Sequence, residues 1–82
     1  MSKIKAVHIK DRTVENLIVG GVYYISFDGK KAYKVELLDI NDTMKMGSIK
    51  VLNGKFKGKF HSLYLDEIRS TEEAACKNYV TL

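Results

Sequence analysis

Two alternating segments separated by Asp28 and Gly29 constrain the fold of this chain more than any other feature. Residues 22–27 are rich in β-branched and aromatic side chains, and residues 32–40 begin by alternating apolar and polar side chains. An Asp-Gly pair between two such segments is among the strongest signals for a two-residue β-hairpin turn, in which both turn residues have positive φ. The alternation breaks at Leu38, which predicts a bulge or sharp bend at that position.

Three further segments predict additional strands. They are residues 6–9, residues 46–52 and residues 60–65. Short strands joined by glycine turns, with no proline and one short helix near the C-terminus, are typical of small bent sheets and barrels. The expected fold is therefore mainly β: a single domain over residues 1–82, built as a strongly bent antiparallel sheet or an SH3-like barrel of four to five strands.

A capping-box motif at residues 70–73 predicts where the helix begins. The Ser70 hydroxyl is expected to accept a hydrogen bond from the Glu73 amide, while the Glu73 carboxylate accepts one from the Ser70 amide. The helix then continues to about Asn78, and a helix of about two turns needs to dock on the sheet to be stable. Residues 65–68 predict a tight helical turn before it.

Length and composition indicate one small domain without disulfides. The chain has 82 residues, a formal net charge of +4 and a single cysteine, Cys76. One cysteine excludes an intrachain disulfide, which fits a reducing compartment. No apolar run approaches the ~18 residues of a membrane span, and no apolar signal core begins the sequence. The expected location is the cytoplasm, with no membrane partner, and the mild positive charge favours polyanionic partners without requiring them.

The sequence predicts neither an enzyme nor a bound cofactor or metal. His8 and His61 are the only histidines, and a zinc site needs about four ligands at characteristic spacing. Cys76 is better explained as a small apolar residue on the docking face of the helix than as a nucleophile. No phosphate-binding loop or Gly-x-Ser-x-Gly motif is present. Asp66 and Glu67 are adjacent, so they are expected to cap or solvate a turn rather than form an acid–base pair.

Residues 45–60 contain five lysines and no acidic residue. The two ends of this segment predict strands, and its middle predicts a turn that displays ammonium groups. The candidate nucleic-acid-binding residues are Lys45, Lys50, Lys55, Phe56, Lys57 and Lys59. Ammonium groups in this number suit contacts with a phosphate backbone. The same pattern also describes a solvated hairpin whose lysines limit aggregation.

The same segment carries a family resemblance. The positions concerned are Ile49, Val51, Gly54, Lys57 and Gly58. Two alternating apolar residues followed by Gly-x-x-Lys-Gly and a second strand resemble the core of a KOW motif, an element of some ribosomal proteins and transcription factors. The resemblance spans residues 49–63, which is 15 of the 82 residues, and His61 stands where the family usually has another glycine. It implies an SH3-like barrel and contact with nucleic acid or with the transcription or translation machinery.

The aromatic side chains divide between core and candidate binding positions. The expected core members are Tyr23, Phe27, Tyr33 and Phe60. Phe56 has two interpretations. An exposed aromatic ring between lysines is a stacking platform for an unpaired base. Alternatively, the Phe56 ring folds back over the mouth of the barrel.

Two classes of function therefore remain open. The first is a non-enzymatic nucleic-acid-binding barrel whose lysine-rich hairpin contacts phosphates. The second is an accessory protein, of the kind that bacteriophages or plasmids encode, that binds a larger host protein. A continuous basic surface flanked by exposed aromatic rings favours the first, and an apolar patch that interrupts the basic surface favours the second.

Overall fold

The computed structural model describes residues 14–80, in which four antiparallel strands form one bent sheet in the order β1-β2-β3-β4. The elements are β1 (Val22–Ser26), β2 (Ala32–Asn41), β3 (Met46–Val51), β4 (Phe60–Tyr64) and the helix α1 (Glu72–Lys77). Within residues 14–80 the sheet is not closed into a barrel, and β1 and β4 are its outer strands. The prediction of a mainly β fold with a bent antiparallel sheet and one short C-terminal helix is confirmed. The strand predicted for residues 6–9 lies outside the described residues.

The β1–β2 hairpin is confirmed, but its turn differs from the prediction. Tyr23 pairs with Val35, and Ile25 pairs with Tyr33, in antiparallel register. The strands are joined by residues 27–31. Gly29 has a φ of 80°, whereas Asp28 does not have positive φ. The expectation of positive φ at both residues was therefore wrong for Asp28, whose side chain instead accepts hydrogen bonds from the Lys30 and Lys31 amides within the loop.

The predicted irregularity at Leu38 is confirmed. Leu37 pairs with Ile49, whereas Asp39 pairs with Ser48, so Leu38 is an extra residue on β2. Such a bulge bends the strand and increases its twist. It also explains the broken alternation in the sequence, because the extra residue shifts by one position which residues of β2 face the core.

The core lies on one face of the sheet. Its fully buried side chains are Ile25, Val35, Leu37, Ile49, Val51 and Ile68. Burial of a side chain of this size contributes about 1.5–3 kcal/mol each. Gly47 allows residues 65–68, which follow β4, to approach the sheet closely. A Cβ at this position would lie 3.1 Å from Ile68 Cδ1 and 3.2 Å from Leu65 Cδ2. The inward placement of Ile49 and Val51 follows from the alternation of β3.

The prediction that Phe60 belongs to the core was wrong, because its side chain is 66% exposed. In the register of β3 and β4, Lys50 pairs with Phe60 and Ile49 pairs with His61. Since Ile49 is buried, His61 lies on the core face and Phe60 lies on the opposite, outward face. Tyr33 is buried as expected, while Tyr23 and Phe27 are partly buried and pack against the core.

The helix begins one residue later than the capping motif predicts. The Thr71 side chain accepts a hydrogen bond from the Ala74 amide at 3.1 Å, so Thr71 is the N-cap. The Ser70 amide donates instead to Glu15 Oε1 at 3.1 Å, so the predicted Ser70 capping box was wrong. The helix packs on β1 and β2 through the buried Ala75. A 3₁₀ turn at Leu65–Glu67 confirms the helical turn predicted before it.

The segment after β4 covers the outer edge of β1. Arg69 forms an isolated bridge with Tyr24, and the Val80 amide donates to the Ser26 carbonyl at 2.7 Å. By contrast, within the described residues no strand pairs with the outer edge of β4. Residues 14–80 include no helix with the length and apolar character needed to cross a membrane.

A polar cluster fastens this covering segment to the rest of the chain. Arg69 Nε lies 3.0 Å from Glu15 Oε2. Arg69 Nη1 and Asn78 Nδ2 both donate to the Asp66 carbonyl, at 3.2 and 2.7 Å. Asp66 and Glu67 are buried, and Glu67 Oε1 accepts a hydrogen bond from the Tyr64 amide at 3.0 Å. The expectation that these two carboxylates cap or solvate a turn therefore holds only in part, because Glu67 caps the turn while both residues are removed from solvent.

Candidate nucleic-acid interface

Two loops meet at one end of the sheet. One is the β1–β2 loop, residues 27–31, and the other is the β3–β4 connection, residues 52–59. The Asn53 side chain ties the second loop to β2, since its Oδ1 accepts a hydrogen bond from the Lys34 amide at 3.0 Å. The Leu52 amide also donates to the Lys34 carbonyl at 2.7 Å. The two hairpins are therefore held side by side rather than projecting independently.

Glycine conformation shapes the second loop. A 3₁₀ turn occupies Gly54–Phe56, and Gly54 and Gly58 have φ of 74° and 88°. This left-handed region disfavours residues that carry a Cβ atom. At Gly54 there is also no room, because a Cβ would lie 2.5 Å from the Tyr33 ring. The Gly-x-x-Lys-Gly spacing therefore corresponds to real backbone requirements in this loop.

Inward-facing rings pack beneath the two loops. The Phe27 ring centroid lies 5.2 Å from that of Phe56 and 5.8 Å from that of Tyr33. Phe56 also meets Tyr33 edge-to-face at 5.4 Å, and His61 lies 5.2 Å from Phe27. Phe56 thus folds back against the core, as the second interpretation of its position predicts, and its ring joins the two hairpins.

Six lysines surround this aromatic cluster, and we call them the basic end. They are Lys30, Lys31, Lys34, Lys55, Lys57 and Lys59, all of which are exposed. Within residues 28–34 and 53–59 the only acidic residue is Asp28. Its carboxylate accepts hydrogen bonds from the amides of Lys30 and Lys31 at 2.8 and 3.1 Å, which lowers the pKa of Asp28 below its ordinary value. This carboxylate is therefore favoured in its ionised form, and its Oδ1 accepts hydrogen bonds within its own loop.

The structure separates the lysines that the sequence grouped together. Lys55, Lys57 and Lys59 lie in the basic end, and Lys50 is close to it at the end of β3. Lys45 lies in the turn before β3, with a φ of 58°. The six residues of β3 separate it from the basic end by about 20 Å at ~3.3 Å per residue.

Sequence reasoning missed two parts of this surface. The first is Lys30, Lys31 and Lys34, whose lysine-rich run beside the Asp-Gly pair was an available signal. The second is the pair of exposed rings on β4, Phe60 and Tyr64, which are 66% and 50% exposed.

Two of the side chains considered for catalysis, His61 and Cys76, lie in the described residues, whereas His8 lies outside them. His61 packs against the Phe27 ring, and Cys76 is a half-buried free thiol on α1. Among residues 14–80, no three or more His, Cys, Asp or Glu side chains are placed so that they could hold a metal ion.

Comparisons with protein-family models, with curated proteins and with solved structures find no match for this chain. The resemblance of residues 49–63 to a KOW motif therefore remains a prediction from those residues alone.

Proposed function

We propose that this chain is a non-enzymatic nucleic-acid-binding protein that contacts a phosphate backbone through the basic end. The observation that carries the proposal is the joining of two hairpin loops, which concentrates six exposed lysines around a single carboxylate. Within the described residues, these lysines enter no ion pair, so their charge is available to an external anion.

The physical basis of such binding is counterion release. Each phosphate that a lysine neutralises releases condensed cations from the nucleic acid, which makes affinity depend strongly on salt. Lysine supplies a compact charge without a fixed hydrogen-bonding fork, so it suits sequence-independent contact with a backbone. The KOW resemblance points to the same class of partner, because its Lys57 and its glycines lie in the basic end.

The test is salt-dependent binding to labelled duplex and single-stranded oligonucleotides, followed by fluorescence anisotropy. The slope of log K against log salt changes by about 0.9 per duplex phosphate contact and about 0.7 per single-strand contact. Replacing Lys55, Lys57 and Lys59 with Gln is expected to flatten the slope by ~2–3 units. Because the structure adds the β1–β2 loop, replacing Lys30, Lys31 and Lys34 is expected to have a comparable effect.

Lys45→Gln provides a matched control for duplex binding. It removes the same charge as Lys57→Gln but at the opposite end of β3. We expect Lys57→Gln to flatten the duplex slope and Lys45→Gln to leave it nearly unchanged. A wild-type protein that binds neither duplex nor single strands at low salt would contradict the proposal, as would equal effects from the two single variants.

A second candidate function is docking on a larger protein partner. It is favoured by exposed apolar side chains beside β1, where Ile18, Val19 and Val22 are 67%, 52% and 53% exposed. The amide of the intervening Gly20 donates to the Leu37 carbonyl, so these residues lie alongside β2 and away from β4. An accessory protein that binds a host protein is the better proposal if the binding experiment shows no affinity for nucleic acid.

A further inference from the structure

Two aromatic rings stand exposed on the outward face of β4. Phe60 and Tyr64 are four residues apart on one strand, so they share a face and lie about 13 Å apart at ~3.3 Å per residue. Exposed rings on the same face of an outer strand are costly to leave in water and often mark a binding surface. Their separation is well above the ~3.4 Å rise of stacked bases, so the two rings suit two separate bases.

Each ring is accompanied by a lysine. Lys50 pairs with Phe60 across the β3–β4 ladder, and its Nζ lies 5.8 Å from the centre of the Phe60 ring. At the other end of the strand, Lys45 and Tyr64 line the same surface cavity, together with the largely buried Asp66. The Lys45 carbonyl holds this arrangement by accepting a hydrogen bond from the Leu65 amide at 2.9 Å. Lys45, which lies far from the basic end, is therefore placed near the Tyr64 ring.

Small polar side chains occupy the surface between the rings. Ser48 and Ser62 are paired directly across β3 and β4, and both line a shallow cavity that Phe60 and His61 also border. Their hydroxyl groups can donate to or accept from the edge of a base. On the outward face of β4 only the small Ser62 side chain lies between the two rings.

The carboxylates of the outward face lie further away. Glu36 and Asp39 are on β2, paired with Lys50 and Ser48. Two strand spacings, about 10 Å, separate β2 from β4, which exceeds the ~8 Å Debye length at physiological salt. A polyanion that follows the free edge of β4 is therefore largely screened from Glu36 and Asp39 where it lies on β4. At Lys50 it also meets Glu36, which is paired with that lysine, and at Lys45 it meets Asp42 of the same turn.

We infer that the outward face of β4 is a stacking surface for unpaired bases, so that the ligand of this protein is single-stranded nucleic acid. The inference rests on the proposed function and specifies its substrate class. The backbone runs from the basic end along β4 to Lys45, with one base on Phe60 and another on Tyr64. Duplexes cannot use this surface, because their base faces are already stacked on one another.

The direct test uses Phe60→Trp, because the chain contains no tryptophan. The exposed position accepts a larger ring without disturbing the core. Stacking of a base on this indole is expected to quench its fluorescence when oligothymidine or oligouridine is added. A duplex of the same length is expected to bind through the basic end without quenching. The oligothymidine and oligouridine arms distinguish DNA from RNA as the preferred strand.

Truncation measures the contribution of each ring. Phe60→Ala and Tyr64→Ala are each expected to weaken single-strand binding about 5- to 150-fold, the range for loss of one base–aromatic stack. Neither variant should alter duplex affinity or the salt slope. Val22→Ala is the matched control, because Val22 is 53% exposed on the outward face of the other outer strand. It should change neither affinity.

The outcomes separate the two proposals. If the lysine variants lose binding while Phe60→Ala and Tyr64→Ala bind single strands like the wild type, this inference is overturned and the proposed function stands. Equal quenching of Phe60→Trp by duplex and single strands also overturns it. If the wild type binds neither ligand at low salt, the proposed function fails and the inference fails with it.

Discussion

The polar cluster around Arg69 and the basic end use charge in opposite ways. In the cluster, the Arg69 and Glu15 side chains are only 8% and 24% exposed, and they form an ion pair 3.0 Å long. In the basic end, the lysine side chains are exposed and, among the described residues, pair with no carboxylate. One set of charges is satisfied within the fold, and the other set is left for solvent or a partner.

This difference separates stability from binding. A buried charge that loses its partner destabilises the fold strongly, whereas an exposed lysine contributes little to stability. The lysines of the basic end repel one another, and Asp28 is the one carboxylate within residues 28–34 and 53–59 to offset them, so the fold itself provides no reason to concentrate them there. Variants in the polar cluster should therefore change the free energy of unfolding, whereas variants in the basic end should change the affinity for nucleic acid. Each expectation can be tested separately.

The largest effect is expected from Arg69→Met. The change removes the cationic partner of the Glu15 carboxylate and of the Asp66 carbonyl. Breaking a fully buried pair costs about 3–5 kcal/mol, and the loss here should fall at or below the lower end of that range because the Glu15 side chain is 24% exposed. Urea unfolding measures the free energy of unfolding. Lys57→Met, which also exchanges a cation for methionine, should change it by no more than ~0.5 kcal/mol. An equal loss of unfolding free energy in the two variants would show that Arg69 contributes no more to stability than an exposed lysine.

An intermediate effect is expected from Gly54→Ala, which acts within the basic end on its architecture rather than on its charge. Left-handed backbone costs a Cβ-bearing residue about 1–2 kcal/mol, and displacing the Tyr33 ring adds about 1–3 kcal/mol. Gly58→Ala is the matched control, because Gly58 also has positive φ but a Cβ there meets nothing within 4 Å. It should lose only the backbone contribution.

These two glycine variants also sharpen the binding comparison. If the contact between the two loops concentrates the lysines, Gly54→Ala should weaken duplex binding in the folded protein, while Gly58→Ala should weaken it less. Thermal unfolding fixes the folded fraction at the assay temperature. Equal unfolding free energies for the two variants would show that the Tyr33 contact does not organise the loops.

Local patterns were sufficient to predict the sheet. Alternation and turn residues predicted the β1–β2 hairpin, and the break in alternation predicted the bulge at Leu38, because both depend on residues near one another in the chain. The helix was placed correctly, but its cap was not. Ser70 and Thr71 are both good N-cap residues, and the choice depends on the distant Glu15, which accepts a hydrogen bond from the Ser70 amide.

The candidate surface was harder to predict because it depends on strand register. In β4, the two alternating sets are Phe60, Ser62 and Tyr64 on one face and His61 and Leu63 on the other. Hydrophobicity alone favours placing the aromatic set inside, yet pairing with β3 turns it outward. Lys34 and Asn53 illustrate the same limit, since the hydrogen bond that ties the β3–β4 connection to β2 links residues far apart in sequence.

The smallest effect is expected at Asp28, the one carboxylate among the lysines of the basic end. Hydrogen bonds from the Lys30 and Lys31 amides lower its pKa in the folded state, so ionised Asp28 stabilises the fold. That contribution is fully present above the unfolded pKa, about 3.8, and is lost as pH falls through the lower folded value. The stability difference between the wild type and Asp28→Asn should therefore be constant near neutral pH and shrink in acid.

Asp28→Ala separates charge from hydrogen bonding in this measurement. Asparagine keeps an oxygen that accepts from the Lys30 and Lys31 amides, whereas alanine leaves both amides to solvent. Asp28→Ala should therefore show the same acid-dependent change plus an additional loss that does not vary with pH. Urea unfolding between neutral pH and pH about 2 checks both. If the stability difference between the wild type and the Asp28 variants grew as pH fell, Asp28 would not be stabilised as an anion in the folded protein. Its negative charge would then not contribute to the stability of the basic end.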